Sequence, residues 1–165
     1  MPNTEIDHTD DGFSLNPFRA VVRGKVLHSF DRLSQGDPSA ALALMDDEVE
    51  YTFEGEHALG GTRVSKAGVA RWMDRLLRLL PGQFEIQSVE VVGWPWRATV
   101  YVVFEDRVAP AIGAPYRNHG VQVVDLEWGR AVRIHTYVDT SKLEGALEVM
   151  AKEGIAEAQA EPITD

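Results

Sequence analysis

The sequence predicts an α+β domain in which a curved sheet wraps a layer of helices. Two observations point there. Helical spacing of apolar residues dominates up to Pro81, and strand-like apolar runs follow from Phe84 to Val138, an order that segregates helices from a sheet. Val49, Tyr51 and Phe53 alternate with Glu48, Glu50 and Thr52, so the first strand has one buried and one wet face. Such a cup encloses a cavity, where a small molecule would sit.

Phe18, Val22, Val26, Phe30 and Leu33 recur at helical spacing and predict a helix from Pro17 to about Leu33. Gly36-Asp37-Pro38 stops it, and Asp37 is placed to cap a second, short helix from Ser39 to Met45. After the first strand comes the glycine-rich loop Glu54 to Thr62, where His57 could lie on a lid over the cup. Ser65 caps a third helix with Val69, Trp72, Met73, Leu76, Leu77 and Leu80 inward, leaving Arg71, Asp74, Arg75 and Arg78 to solvent. Strands are expected at about 84–92, 97–107, 116–126 and 131–138, the last two joined at Trp128-Gly129. Asp139 then caps a final helix to about Lys152. The domain plan is a flexible acidic tail over 1–14, a single domain over 15–153 and a second flexible tail over 154–165.

The net charge of -10 argues against nucleic acid and against anionic membranes, since both need a basic surface. No apolar run approaches the length of a membrane span, and Met1 to Asp7 lacks the features of a signal peptide. Without cysteine there is no disulfide framework or thiolate chemistry, and a cytoplasmic location is the expectation.

Three pieces, in order, resemble the nuclear transport factor 2-like superfamily, in its SnoaL-like and limonene-epoxide-hydrolase-like branches. They are Gly36-Asp37 with Leu44 to Tyr51, Gly60-Gly61-Thr62 through Trp72, and Trp128 to Val132 with Tyr137-Val138-Asp139 and Leu143. The resemblance spans roughly Pro17 to Met150. It implies a cone: a strongly curved mixed β-sheet around N-terminal helices, a short C-terminal helix and a pocket at the wide end. It also implies dimerisation through the sheet, as in many members. That agrees with the apolar outward residues Tyr101, Val103, Val121 and Val123, with Arg133, His135 and Tyr137 as polar contacts of a homodimer.

Fold alone does not give function, and the catalytic groups implied by the resemblance are replaced. The epoxide-hydrolase arginine and first aspartate align with Val102 and Phe104, and the second aspartate with Thr136. The SnoaL-like cyclase base also falls on Thr136, whose hydroxyl is far too weak a base, and the accompanying histidine on Gln122. The ketosteroid isomerase base aligns with Tyr51 and its oxyanion tyrosine with Ser29. Hydrolysis of terpene epoxides by the charged relay is therefore not expected.

The expected ligand-facing set is Tyr51, Phe53, Trp72, Phe104, Asn118, Gln122 and Thr136, with Asn118, Gly120, Gln122, Val124 and Leu126 turned inward on one strand. Tyr51 reads either as a pocket group or as a core tyrosine, and Gln122 either as a ligand contact or as a structural hydrogen bond. Catalytic candidates are Tyr51, Asp106, His119 and Thr136. Asp106 shares a parity with Val102 and Phe104, but beside Arg107 it reads first as a solvated strand-end pair that a two-residue shift would bring to the pocket rim. His119 faces outward unless a bulge intervenes; His28, His57 and His135 read as surface or interface residues. Trp72, Trp94 and Trp96 read first as core or pocket walls. No spacing suits a metal, so neither metal nor cofactor is expected. The function read from the sequence is binding of a small hydrophobic molecule, with cyclase, isomerase or hydrolase activity as one outcome. Pure ligand binding and a dimeric structural or partner-binding role are the others.

Overall fold

The computed structural model describes residues 16–165; the expected acidic tail over 1–14 lies outside them. In chain order the elements are α1 (Pro17–Ser34), α2 (Ser39–Ala43), β1 (Met45–Phe53), β2 (Gly61–Arg63), α3 (Lys66–Leu79), β3 (Gly82–Trp94), β4 (Arg97–Val108), β5 (Tyr116–Glu127), β6 (Arg130–Val138) and α4 (Thr140–Lys152). A 3₁₀ turn follows at Ala156–Gln159. The six strands form one open, curved sheet in the order β2-β1-β6-β5-β4-β3. Only β1 and β6 pair in parallel. None of the described helices is long and apolar enough to cross a membrane.

Local chemistry sets the boundaries. Asn16 caps α1 by accepting from the Phe18 N–H (3.1 Å), and Pro17 occupies the first turn. Asp37 accepts from the Ser39 N–H (2.8 Å) ahead of α2, which ends two residues earlier than expected so that Met45 can start β1. Ser65 and Asp139 cap α3 and α4 as the sequence implied. At the β5–β6 turn both Trp128 (φ 51°) and Gly129 (φ 78°) adopt left-handed backbone, the geometry of a tight hairpin.

Curvature comes from irregular pairing. The ladder shifts between Ile86 and Ser88 in β3, between Met45 and Glu50 in β1, and after Asp125 in β5. Each shift bends a strand and increases its twist. Inside the bend, Phe30, Phe84 and Phe104 meet with centroids 5.3–5.7 Å apart. The Phe104 ring lies on Gly120, where any Cβ would collide with it.

Two expectations fail at the periphery. The segment 154–165 is docked, not a loose tail: Gly154 (φ 92°) reverses the chain, Ala158 is buried, and Glu157 pairs with Arg78 at 2.6 Å. Arg75, expected in solvent, donates to the carbonyls of Ala58 and Glu161, both at 2.9 Å. The glycine loop also carries a strand, β2, whose Arg63 is fully buried. Its guanidinium donates to the carbonyls of Gly60 (2.5 Å), Gly61 (2.5 Å) and Ile163 (2.8 Å), and lies over the rings of Tyr51 and Trp72 at 5.8 and 5.2 Å. Burial lowers its pKa to about 10, which still leaves it charged at neutral pH. These contacts run from side chains to backbone carbonyls and leave no periodic trace in the sequence.

Replacing Arg63 with Met strands one buried and two partly buried carbonyls, so it should cost at least about 2 kcal/mol in urea unfolding. Amide exchange should quicken first over residues 155–163, and unchanged exchange there would contradict the clamp.

Candidate functional site

Alternation along β4, β5 and the part of β6 after Arg133 sends a fixed set of side chains to the concave face. One row across the sheet reads Val89, Val102, Gln122, Thr136 and Phe53; another reads Phe84, Asp106 and Asn118. Between this face and helices α1, α3 and α4 lies a predominantly apolar cavity of about 90 Å³. Phe53, Trp72 and Phe104 form part of its wall.

The polar groups at the wall fall into two sets. In the first, the Thr136 hydroxyl accepts from Gln122 Nε2 (2.9 Å) and shares a hydrogen bond with the Tyr51 hydroxyl (3.1 Å). Burial pushes the Tyr51 phenol up to about 12, so it is neutral at physiological pH. These three residues satisfy one another through Thr136. Asn118 is likewise engaged: Oδ1 accepts from the N–H of Asp139 (3.1 Å) and of His119 (2.9 Å), and Nδ2 donates to the Asp139 carbonyl (3.1 Å). It ties β5 to the start of α4.

Asp106 and Tyr116 make the second set. Asp106 is not a solvated strand-end residue: simple parity, with no shift, puts its carboxyl inside, over Gly82, where a Cβ would strike Oδ1. Arg107 points the other way and pairs with Glu85 at 2.8 Å. Among the described residues no cation offsets the burial of Asp106, and its pKa rises to about 7. Among them, too, its Oδ1 and the Tyr116 hydroxyl are buried without a hydrogen-bond partner. Burial, then the Asp106 charge, raises the Tyr116 pKa as well. Asp106 can give or take a proton near neutrality, and Tyr116 can donate a hydrogen bond. Tyr116 was missed in the sequence, although its parity with Asn118 and Gly120 marks it as inward.

The remaining candidates lie elsewhere. His119 is exposed on the convex face, 3.9 Å from Glu105. His135 is also convex, bonded to Glu54 at 2.5 Å and stacked on Tyr137 with centroids 4.1 Å apart. His57 is held within its loop by the Glu54 carbonyl (3.1 Å) and the Leu59 N–H (3.2 Å). His28 sits on the exposed side of α1. Trp94 and Trp96 are not walls; they stack on each other in the open, 60% and 55% exposed. Among the described residues no group of three His, Cys, Asp or Glu side chains is placed to hold a metal ion.

The family model described as a SnoaL-like domain matches residues 26–134, well over half of the chain. This chain belongs to the SnoaL-like domain family. No curated protein matches it. Among solved structures it is similar to an NTF2-like protein of unknown function from Burkholderia pseudomallei, at 21% identity and TM-score 0.64 over 76% of this chain and 95% of that one. TerC, co-crystallised with polyporic acid, shares 21% identity and TM-score 0.62 over 77% and 98% of the two chains. A protein described as a SnoaL-like polyketide cyclase from Jannaschia sp. CCS1 shares 14% identity and TM-score 0.62 over 79% and 93%. At these identities the likeness establishes the shared cone fold.

Thr136 is the test of the first polar set in this SnoaL-like protein. Thr136→Val removes the hydroxyl to which both Tyr51 and Gln122 bond and should cost about 1–3 kcal/mol in urea unfolding. The all-apolar triple variant Tyr51→Phe, Gln122→Leu, Thr136→Val should recover most of it. A Thr136→Val melt identical to wild type would refute the network.

Proposed function

We propose that this SnoaL-like protein binds a small hydrophobic carbonyl compound in its cone and catalyses proton transfer on it, as an isomerase or cyclase. The observation that carries the reading is the pair of unpaired buried oxygens, Asp106 Oδ1 and Tyr116 Oη, on the wall of one apolar cavity. Apolar walls with a few convergent polar groups and a displaced carboxyl pKa suit a site for acid–base work. The co-crystallised TerC supports a small-molecule reading for the fold.

In the proposed step the Asp106 carboxylate takes a proton from the carbon next to the carbonyl. The C–H electron pair moves into the new C=C bond, and charge gathers on the carbonyl oxygen, which accepts the Tyr116 O–H. The proton then returns from Asp106 at another carbon, or the enolate carbon attacks a second carbonyl of the same molecule to close a ring, the π pair of that carbonyl moving to its oxygen, which takes the proton from Asp106 as a hydroxyl. The buried apolar residues Val102 and Phe104, with Thr136, stand where the epoxide-hydrolase relay would need charges, which favours this reading over the limonene-epoxide branch. A cytoplasmic location, expected from a cysteine-free composition, belongs to the same proposal.

Asp106 couples the site to stability. Its carboxyl ionises near 3.8 when exposed but near 7 in the folded chain. Below pH 4 it is protonated in both states and costs nothing; the cost grows as pH rises toward 7 and is complete above it. Asp106→Asn should therefore raise stability at pH 8 by about 2–4 kcal/mol and flatten the decline between pH 4 and 7. With a panel of apolar enolisable ketones in D₂O, NMR should show α-deuterium incorporation by the wild type. Asp106→Asn should slow it by about 10²-fold or more, and an equal rate in both proteins would exclude Asp106 as the base.

We also propose a homodimer through the convex face. Tyr101, Val121 and Tyr137 are 43%, 37% and 44% exposed there, beside partly buried Val103 and Val123. Acidic and basic residues flank this apolar band, with Glu50, Asp125 and Arg133 on one side and Glu105 and Arg117 on the other. Light scattering at micromolar concentration should give twice the chain mass of 18.3 kDa, and a single-chain mass would count against the dimer.

A further inference from the structure

Tyr116 stands where a second depression begins, with Asp106 inward of it on the wall of the first. The second is a surface groove of about 610 Å³ between the start of β3, at Pro81 to Gln83, and the β4–β5 connection. Gly82, Val108 and Tyr116 line both the groove and the inner cavity, so the two meet at these residues. One wall is fixed by backbone hydrogen bonds: the Ala109 N–H donates to the Pro81 carbonyl and the Ala111 N–H to the Leu79 carbonyl, both at 2.9 Å.

Volume decides what can bind. An apolar cavity of roughly 150 Å³ is known to admit benzene, and the inner cavity has about 90 Å³. It therefore takes a small group rather than a whole ligand. Drug-sized molecules occupy sites of about 300–1,000 Å³, a range reached here only with the groove included. The groove carries two arginines, Arg107 and Arg117, but their charges are met at its edge by Glu85 (2.8 Å from Arg107) and Glu105 (2.9 Å from Arg117). Pro81, Val108, Ala109 and Pro115 supply apolar surface.

We propose that the groove is the entrance and a second subsite, and that the substrate is an elongated, uncharged molecule. Its small reactive end passes Tyr116 to reach Asp106, and its apolar remainder lies in the groove. This inference rests on the proton-transfer reading only for which end goes inward; the groove subsite itself stands on the shared residues and the volumes. Tyr116 lies at the threshold, where its hydroxyl meets the first polar atom of the entering molecule.

The experiment uses N-phenyl-1-naphthylamine, a neutral fluorescent probe too large for the inner cavity, and its sulfonated analogue anilinonaphthalene sulfonate. Wild type should bind the neutral probe with one-to-one stoichiometry. Ala109→Trp and Pro115→Trp alter exposed positions on the groove wall, and each should weaken binding by about tenfold or more, with thermal melts confirming that both variants fold. Wild-type affinity in both tryptophan variants, or no probe binding by the wild type, would overturn the subsite. A tenfold preference for the sulfonated probe would overturn the uncharged substrate. Deuterium exchange reports separately: its loss in Asp106→Asn with probe binding intact in the tryptophan variants would keep the reaction and remove the groove. Blocked probe binding with exchange unaffected in Asp106→Asn would keep the groove and remove the base.

Discussion

Alternation along a bent sheet is the constraint on which this molecule depends. Once Val102 and Phe104 are committed to the core, Asp106 must follow them to the concave face, because successive side chains of a strand point to opposite sides. The same rule turns Tyr116, Asn118 and Gln122 inward from β5 and Thr136 from β6. A concave face built this way receives polar groups that an apolar interior would otherwise exclude. Their fate depends on whether a partner lies across the ladder.

For most of them a partner exists. Thr136 lies opposite Gln122 in the ladder and one strand away from Tyr51, so the three close on one another. Asn118 finds the backbone of Asp139. Asp106 has Phe84 on one side and Asn118, already engaged, on the other. Its oxygen is left without a partner, and the ionised form is penalised by burial alone. Arg63 Nη1 and Arg75 Nε also lack a hydrogen-bond partner among the described residues, but they lie in the clamp on the C-terminal segment, whereas Asp106 Oδ1 and the Tyr116 hydroxyl lie on the cavity wall. The glycine at position 82 makes the room that the carboxyl occupies.

The wall opposite the sheet is held by different physics. Arg63 is a buried cation without a carboxylate hydrogen-bonded to it; carbonyl dipoles and two aromatic faces surround it. By gripping Ile163 as well as Gly60 and Gly61, it joins its own loop to a segment 100 residues further along the chain. Tyr51 and Trp72, whose rings it underlies, are also cavity walls. The docked C-terminal segment thus supports the cavity from behind without lining it.

By itself the sequence determined the α+β class, the order of four long strands after the helices, the caps at Ser65 and Asp139, and the inward set Val49, Tyr51 and Phe53. All of these follow from periodicity and local hydrogen bonding, which act over a few residues. The resemblance supplied the cone, and the wall residues Phe53, Trp72 and Phe104 were legible from their stripes. The tertiary structure alone decided which polar side chains found partners. Asp106 looked like a solvated strand end because burial at that position depends on Gly82 and Tyr116, 24 residues before it and 10 after it in the sequence. For Tyr51 and Gln122 the sequence left a pocket role and a structural hydrogen bond both open, because their common partner, Thr136, is brought between them only by the β1–β6 and β5–β6 pairings. The segment after Lys152 looked unstructured because its anchors are backbone carbonyls, which every residue carries, and an ion pair from Glu157 to Arg78, 79 residues away. Hydrogen-bond satisfaction is a property of neighbours in space, and a linear pattern does not encode it.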